Sequence, residues 1–123
     1  MFHDSHAFSG FSTNDVDAAR AFYRDTLGLD VEDDMGLLSI AFAGGGRTII
    51  YPKPNHEPAS FTVLNFPVDD VEGAVDALVA KGVTFERYPG LNQDERAIVR
   101  DENSPPIAWF KDPAGNILSV LKA

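Results

Sequence analysis

Ile107-Ala108-Trp109-Phe110-Lys111-Asp112-Pro113-Ala114-Gly115-Asn116-Ile117-Leu118-Ser119-Val120-Leu121 reads as two β-strands joined by a tight turn. Pro113 presets a φ of about −65°, which suits a turn. Gly115 has no Cβ and takes the positive φ that closes a short hairpin; Asn116 tolerates it as well. The flanks are β-branched, aromatic and aliphatic, as paired strands require. Taken alone, Asp-Pro-Ala-Gly-Asn describes a C-terminal hairpin and nothing more.

Upstream, one pattern occurs twice. Asn14-Asp15-Val16-Asp17 returns 55 residues later as Asp69-Asp70-Val71-Glu72, and Leu27-Gly28-Leu29 returns 54 residues later as Lys81-Gly82-Val83. Asn14 is a plausible N-cap, with Asp15 and Asp17 where a helix dipole favours negative charge; Asp69 is its counterpart. Val16, Ala19, Phe22, Tyr23 and Leu27 form one helical stripe, and Val71, Ala74, Val75, Leu78 and Val79 form another. Strands are expected near 7–12, 29–32, 37–43 and 47–52, and again near 61–68, 84–88 and 96–100. Pro54 and Pro58 break regular structure in the stretch 53–59, the natural boundary between the halves. One such half would be marginal alone; two copies can share a core with helices outside.

The doubled pattern and the closing hairpin together resemble the vicinal oxygen chelate superfamily, which holds the glyoxalase I, bleomycin-resistance and extradiol dioxygenase families. The resemblance runs from Ala7 to Leu121. It implies an α+β fold, with two βαβββ modules in one chain forming a cupped mixed sheet around a cleft, helices outside. Residues 1–123 would be a single domain, with module one at about 7–52, a linker at 53–59 and module two at about 60–122. It also implies a homodimer. Metal-dependent members hold a divalent ion on four ligands from the first and last major strands of each half. Carried over one at a time, those positions fall on Phe8, on Ile50 within one residue either way, on Val63, and on Ser119. None offers the imidazole or carboxylate that a divalent cation takes. The expectation is therefore no metal and no cofactor.

Composition narrows the function classes. With 44% hydrophobic residues the chain is globular rather than disordered. Ten basic against nineteen acidic residues give a net charge of −9. Such a surface repels phosphate backbones and anionic lipid, and Arg96 and Arg100 are interleaved with acids, so neither nucleic acid nor membrane is an expected partner. The N-terminus lacks the basic and apolar regions of a secretory signal, and there are no cysteines. A cytoplasmic location is expected.

Strand alternation then proposes a cleft lining. The candidates are His6, Phe8, Tyr51, Phe61, Val63, Asn65, Trp109 and Ser119. A mostly apolar wall with a few polar groups suits a small-molecule pocket, and it suits a filled core with satisfied polar atoms equally. His6 reads as a general base or as a frayed terminal histidine. Trp109 reads as a stacking platform or as core, Asn65 as a recognition group or a structural hydrogen bond, and Tyr51 as a proton donor or packing. His56, between two prolines, is expected to be exposed. Glu95, Arg96 and Arg100 would contact a ligand only if their loop folded inward. Gly44-Gly45-Gly46 does not open a helix, so it is no phosphate loop.

The reading that follows is a metal-free protein that binds a small molecule. The alternative is a glyoxalase-like lyase or isomerase, or a dioxygenase. It would use a displaced metal on His6, His56 or a carboxylate of 94–102, or metal-free acid–base chemistry by His6 or Tyr51. A dimeric interaction module without a ligand is the third reading.

Overall fold

The computed structural model describes residues 1–123. It is an α+β structure with two sheets, and the chain divides into two compact units, Met1–Glu57 and Pro58–Ala123.

The first unit contains β1 (Ser9–Thr13), α1 (Val16–Ala21), β2 (Asp30–Asp34), β3 (Leu37–Ala41) and β4 (Arg47–Pro52). Its sheet runs in the order β1-β4-β3-β2, with β1 parallel to β4 and the other pairs antiparallel. Asp15, not Asn14, caps α1: its carboxylate accepts from the Ala18 amide at 3.0 Å. The reason is local. The Thr13 hydroxyl accepts from the Asp15 amide at 3.2 Å, so the chain turns one residue later. The helix then widens into a π-helical turn over Phe22–Thr26. Ala19, Tyr23, Leu38, Ile40, Thr48 and Ile50 are buried, and α1 lies against β3 and β4. Tyr23 also meets Phe11 and Phe22 in tilted and edge-on ring contacts.

The second unit contains β5 (Thr62–Val68), α2 (Val71–Ala80), β6 (Ile107–Lys111) and β7 (Ile117–Lys122), with sheet order β5-β7-β6. Asp70, not Asp69, caps α2 through the Gly73 amide at 3.0 Å. Both caps move by one residue, so the internal repeat keeps its frame. Val71, Val75, Ile98, Ala108 and Val120 form the core beneath α2, with Val68, Ala74 and Phe85 packed against it. The strands expected at 84–88 and 96–100 shrink to single bridges, Phe85 with Phe110 and Gln93 with Val99. The sheet therefore has three strands, and the segment between α2 and β6 is a structured loop.

Two turns carry backbone strain in opposite senses. The β2–β3 hairpin closes on Met35 and Gly36, both at positive φ (52° and 87°), the geometry of a two-residue turn. Met35 pays the steric cost that glycine or asparagine avoids, and its side chain is fully exposed. Met35→Asn is thus expected to stabilise the protein by about 0.5–1 kcal/mol. Gly115 sits at φ 87°, and a Cβ there would stand 3.2 Å from Pro58 Cγ. Gly115→Ala should cost about 1–3 kcal/mol. Urea unfolding midpoints at constant m check both; a neutral Gly115→Ala would contradict the geometry.

Candidate functional site

The site begins at the Asp112–Asn116 turn, because that turn sets which side chains share a face. One Asp112 carboxylate oxygen accepts from the Ala114 and Asn116 amides at 3.0 and 2.9 Å. The other accepts from the Asn116 side-chain amide at 2.9 Å. The Asp112 amide donates to the Asn116 carbonyl, and both residues are buried. The turn locks Lys111 opposite Ile117, which places Trp109 opposite Ser119. On the other side of β7, Ser119 pairs with Asn65. Leu118 and Val120 are buried with the α2 side of the sheet, so Trp109, Ser119 and Asn65 lie together on the face away from α2. Ser119 Oγ donates to Asn65 Oδ1 at 2.5 Å.

β5 does not alternate evenly. Thr62 pairs with Ile117 but Leu64 pairs with the next residue, Leu118. Val63 is the extra residue of this irregularity, so Thr62 and Asn65 share the face although they stand three positions apart. The expected set Phe61, Val63 and Asn65 is broken there. Thr62 Oγ1 accepts from Trp109 Nε1 at 3.1 Å, and Val63 is half-buried away from the cavity lining.

The loop supplies a residue that strand reasoning missed. The Glu86 amide donates to the Trp109 carbonyl at 2.8 Å, laying the chain along the β6 edge. Gln93 then clamps it. Its Oε1 accepts from the Tyr88 amide at 2.8 Å, and its Nε2 donates to the carbonyls of Glu86 and Ala97 at 3.0 and 2.9 Å. Ala97 holds a φ of 65° in this knot, buried. Tyr88 is thereby set edge-on to Trp109, with ring centroids 5.5 Å apart and planes at 77°. Phe61, Thr62, Tyr88, Trp109, Ile117 and Ser60 line an open cavity of about 190 Å³. Burial, and then the Glu86 carboxylate, push the Tyr88 phenol above its usual range against a smaller opposing effect of Lys111. The phenol is neutral at ordinary pH.

The first unit carries a separate polar cluster. Ser12 and Tyr51 are register partners, on the side of the sheet opposite the buried Thr48 and Ile50. Ser12 Oγ lies 2.6 Å from His56 Nδ1. His56 was expected to be exposed; it is half-buried, because Lys53 donates to the Thr13 carbonyl and the His56 amide closes a turn onto Lys53. On the same side Arg47 donates to the Ser39 hydroxyl. Ile50 turns inward toward α1 with no exposure, so of the second expected metal position only its neighbours Ile49 and Tyr51 face the other way. His6 and Phe8 precede β1 and are exposed; both line a cavity of about 780 Å³ with Gly45, Gly46 and Arg47.

The metal that the resemblance implies finds no donors to fit it. No group of three or more His, Asp or Glu side chains converges closely enough to hold an ion.

Residues 6–120 match the model of the "Glyoxalase/Bleomycin resistance protein/Dioxygenase superfamily". The chain is 29% identical to the uncharacterised protein YraH of Bacillus subtilis, over 89% of this chain and 91% of that one. Among solved structures it resembles TnmS3, an antibiotic-binding protein from Streptomyces sp. CB03234, with TM-score 0.67, 23% identity and 94% of both chains covered. It also resembles a lactoylglutathione lyase from Agrobacterium tumefaciens, with TM-score 0.70, 22% identity and 98% and 96% of the two chains covered. These two likenesses bear on the fold.

Ion pairs run from the loop that carries Tyr88 to α2. Arg96 bonds Asp76 at 2.9 Å, and Arg100 bonds Glu72 and, at 3.0 Å, Asp94. Arginine hydrogen bonds pull Glu72 and Asp76 below their usual carboxylate range. Burial alone would raise Asp94, but the Ile98 amide, Arg100 and the Arg96 amide outweigh it and lower it too. Carboxylates depressed in the folded state stabilise it above their unfolded pKa, about 4. That contribution is lost as pH falls through the folded values. Thermal melts should therefore drop steeply below about pH 4, and Asp94→Asn should flatten the drop. An unchanged acid profile in Asp94→Asn would show that the clamp does not depend on that charge.

Proposed function

The chain belongs to the glyoxalase/bleomycin resistance protein/dioxygenase superfamily, and on that premise we propose that it binds a small organic molecule without a metal ion, in the aromatic corner of its second unit. One observation carries the reading. Tyr88 and Trp109 meet edge-on beside Phe61 around a cavity of about 190 Å³. Apolar walls with a few fixed polar groups are the usual make-up of a ligand pocket, and Thr62 and the Ser119–Asn65 pair supply such groups along the same face. The apolar residues at the metal positions favour a ligand that is held rather than activated. The antibiotic-binding description of TnmS3 supports the same reading.

The proposal extends to a single domain over residues 1–123, with modules at about 7–52 and 60–122. It also extends to a homodimer in the cytoplasm. β1 and β5 each have one neighbour in their own sheets, and a second copy is the simplest cover for unpaired strand edges. A cysteine-free chain suits a reducing compartment. No helix is long and apolar enough to cross a membrane, and the net charge of −9 disfavours nucleic acid.

A thermal-shift screen against aromatic, drug-like and metabolite compounds tests the central claim. A bound ligand raises apparent stability by RT ln(1 + [L]/Kd), about 2.7 kcal/mol at a hundredfold excess over Kd. Trp109→Ala should abolish the shift, and EDTA should leave it intact. The reading fails if no compound stabilises the protein, if Trp109→Ala binds as well, or if chelation removes binding.

A second reading, a glyoxalase-like enzyme using metal-free acid–base chemistry, draws on the 2.6 Å contact between Ser12 and His56 beside Tyr51. Under it, His56→Gln would abolish turnover of any compound that the protein converts, as measured by product formation. A histidine within hydrogen-bond reach of a hydroxyl is the geometry general-base catalysis needs.

A further inference from the structure

We infer that the aromatic corner of the second unit is a cation cage: it selects a compound bearing a quaternary ammonium over its neutral isostere. This rests on the reading that the corner binds a small molecule, and it names the class.

The ring arrangement is the first ground. Two rings at 77° with centroids 5.5 Å apart form perpendicular walls, and Phe61, largely exposed, provides a third aromatic side to the same cavity. A planar ligand needs one open ring face to stack on. A compact cation gains from each ring face that borders the cavity, because the face carries the negative part of the ring's quadrupole. A cavity of about 190 Å³ holds a trimethylammonium head but not a large fused aromatic system.

Charge is the second ground. No lysine, arginine or histidine lines the cavity. Lys111, which acts on the Tyr88 phenol, is tied to Glu86 at 3.4 Å, and Arg87 is turned to the carbonyls of Asp94 and Glu95. Of Lys111 and Glu86, Glu86 acts more strongly on the Tyr88 phenol. The chain as a whole carries −9, which raises the local concentration of cations.

Polar chemistry is the third. Trp109 Nε1–H is committed to Thr62 Oγ1, and Ser119 Oγ to Asn65. The indole's hydrogen is thus spent inside the protein, which leaves its ring as the group it can offer a ligand. That matches a head group that neither donates nor accepts hydrogen bonds.

Trp109 is the only tryptophan in the chain, so its indole N–H gives one assignable signal in a proton–nitrogen correlation spectrum. The probes are (4-hydroxyphenyl)trimethylammonium and 4-tert-butylphenol, equal in shape and differing in charge. The cation is expected to move the indole signal with a Kd about 3- to 30-fold lower than the neutral phenol. Tyr88→Phe should keep that preference, and Tyr88→Leu and Phe61→Leu should each reduce it while 4-tert-butylphenol still binds. If the two probes bind alike, or the neutral one binds more tightly, the cage is wrong while a small-molecule site stands. If neither moves the signal up to millimolar concentration, the cage is again overturned, and the screen above decides the broader reading on its own.

Discussion

The buried Asp112–Asn116 knot is the constraint on which the rest of the second unit depends. Successive strand residues face opposite ways, so a slip of one residue between β6 and β7 would exchange the two faces. Phe110 and Ala108 would turn out of the core beneath α2, and Trp109 would turn into it. The knot prevents this by satisfying Asp112 three times over within five residues. It works only with a residue at Gly115 that accepts a positive φ and has no Cβ to press on Pro58. The motif that decides the fold is therefore also the motif that aims Trp109.

The two units share a frame and differ where the frame is broken. After α1 the chain forms a full strand, β2, paired along five residues with β3. After α2 the equivalent segment touches β6 by one bridge at Phe85 and then leaves the sheet. That departure releases residues 86–100 to fold on their own hydrogen bonds, and Gln93 and Asp94 serve as the centre of that small fold. A complete fourth strand would have continued the ladder along β6 and carried Tyr88 with it. The aromatic corner exists because the repeat is imperfect.

This is also why the sequence revealed the fold more readily than the site. The helices, the glycine stops, the linker prolines and the closing hairpin all follow from periodicity and turn chemistry, which are local. The caps were misplaced by one residue because Asn14 and Asp15 are both good caps. The choice between them rests on a Thr13 hydroxyl bond. Asn65, Trp109 and Ser119 stand in register on one face, as alternation predicts. Thr62 was hidden by the irregularity at Val63, which has no marker such as glycine or proline. Tyr88 was hidden more deeply. Its position depends on a glutamine five residues away reaching three backbone groups, and a polar stretch without periodicity gives no sign of that. His56 was misjudged for a related reason. Prolines on either side suggested an extended, solvated linker, but a turn from Lys53 folds the imidazole back to Ser12.

The loop's attachment links the corner to the opposite face of its sheet. Arg96 and Arg100 reach acids on α2, while Ile98 and Val99 are buried, Ile98 in the core that α2 covers. Exposed ion pairs of this kind contribute little each. The buried apolar residues therefore hold the loop down, and the arginines fix its rotation about that anchor. Asp94 joins the two functions: it pairs with Arg100 and accepts the Arg96 and Ile98 amides around the strained Ala97. Tyr88 sits at the near end of this assembly, joined to it through Gln93. Its distance from Trp109 is thus governed by packing on the helix side as much as by contacts in the cavity. Core substitutions beneath α2 would reshape the corner without touching any residue that lines it.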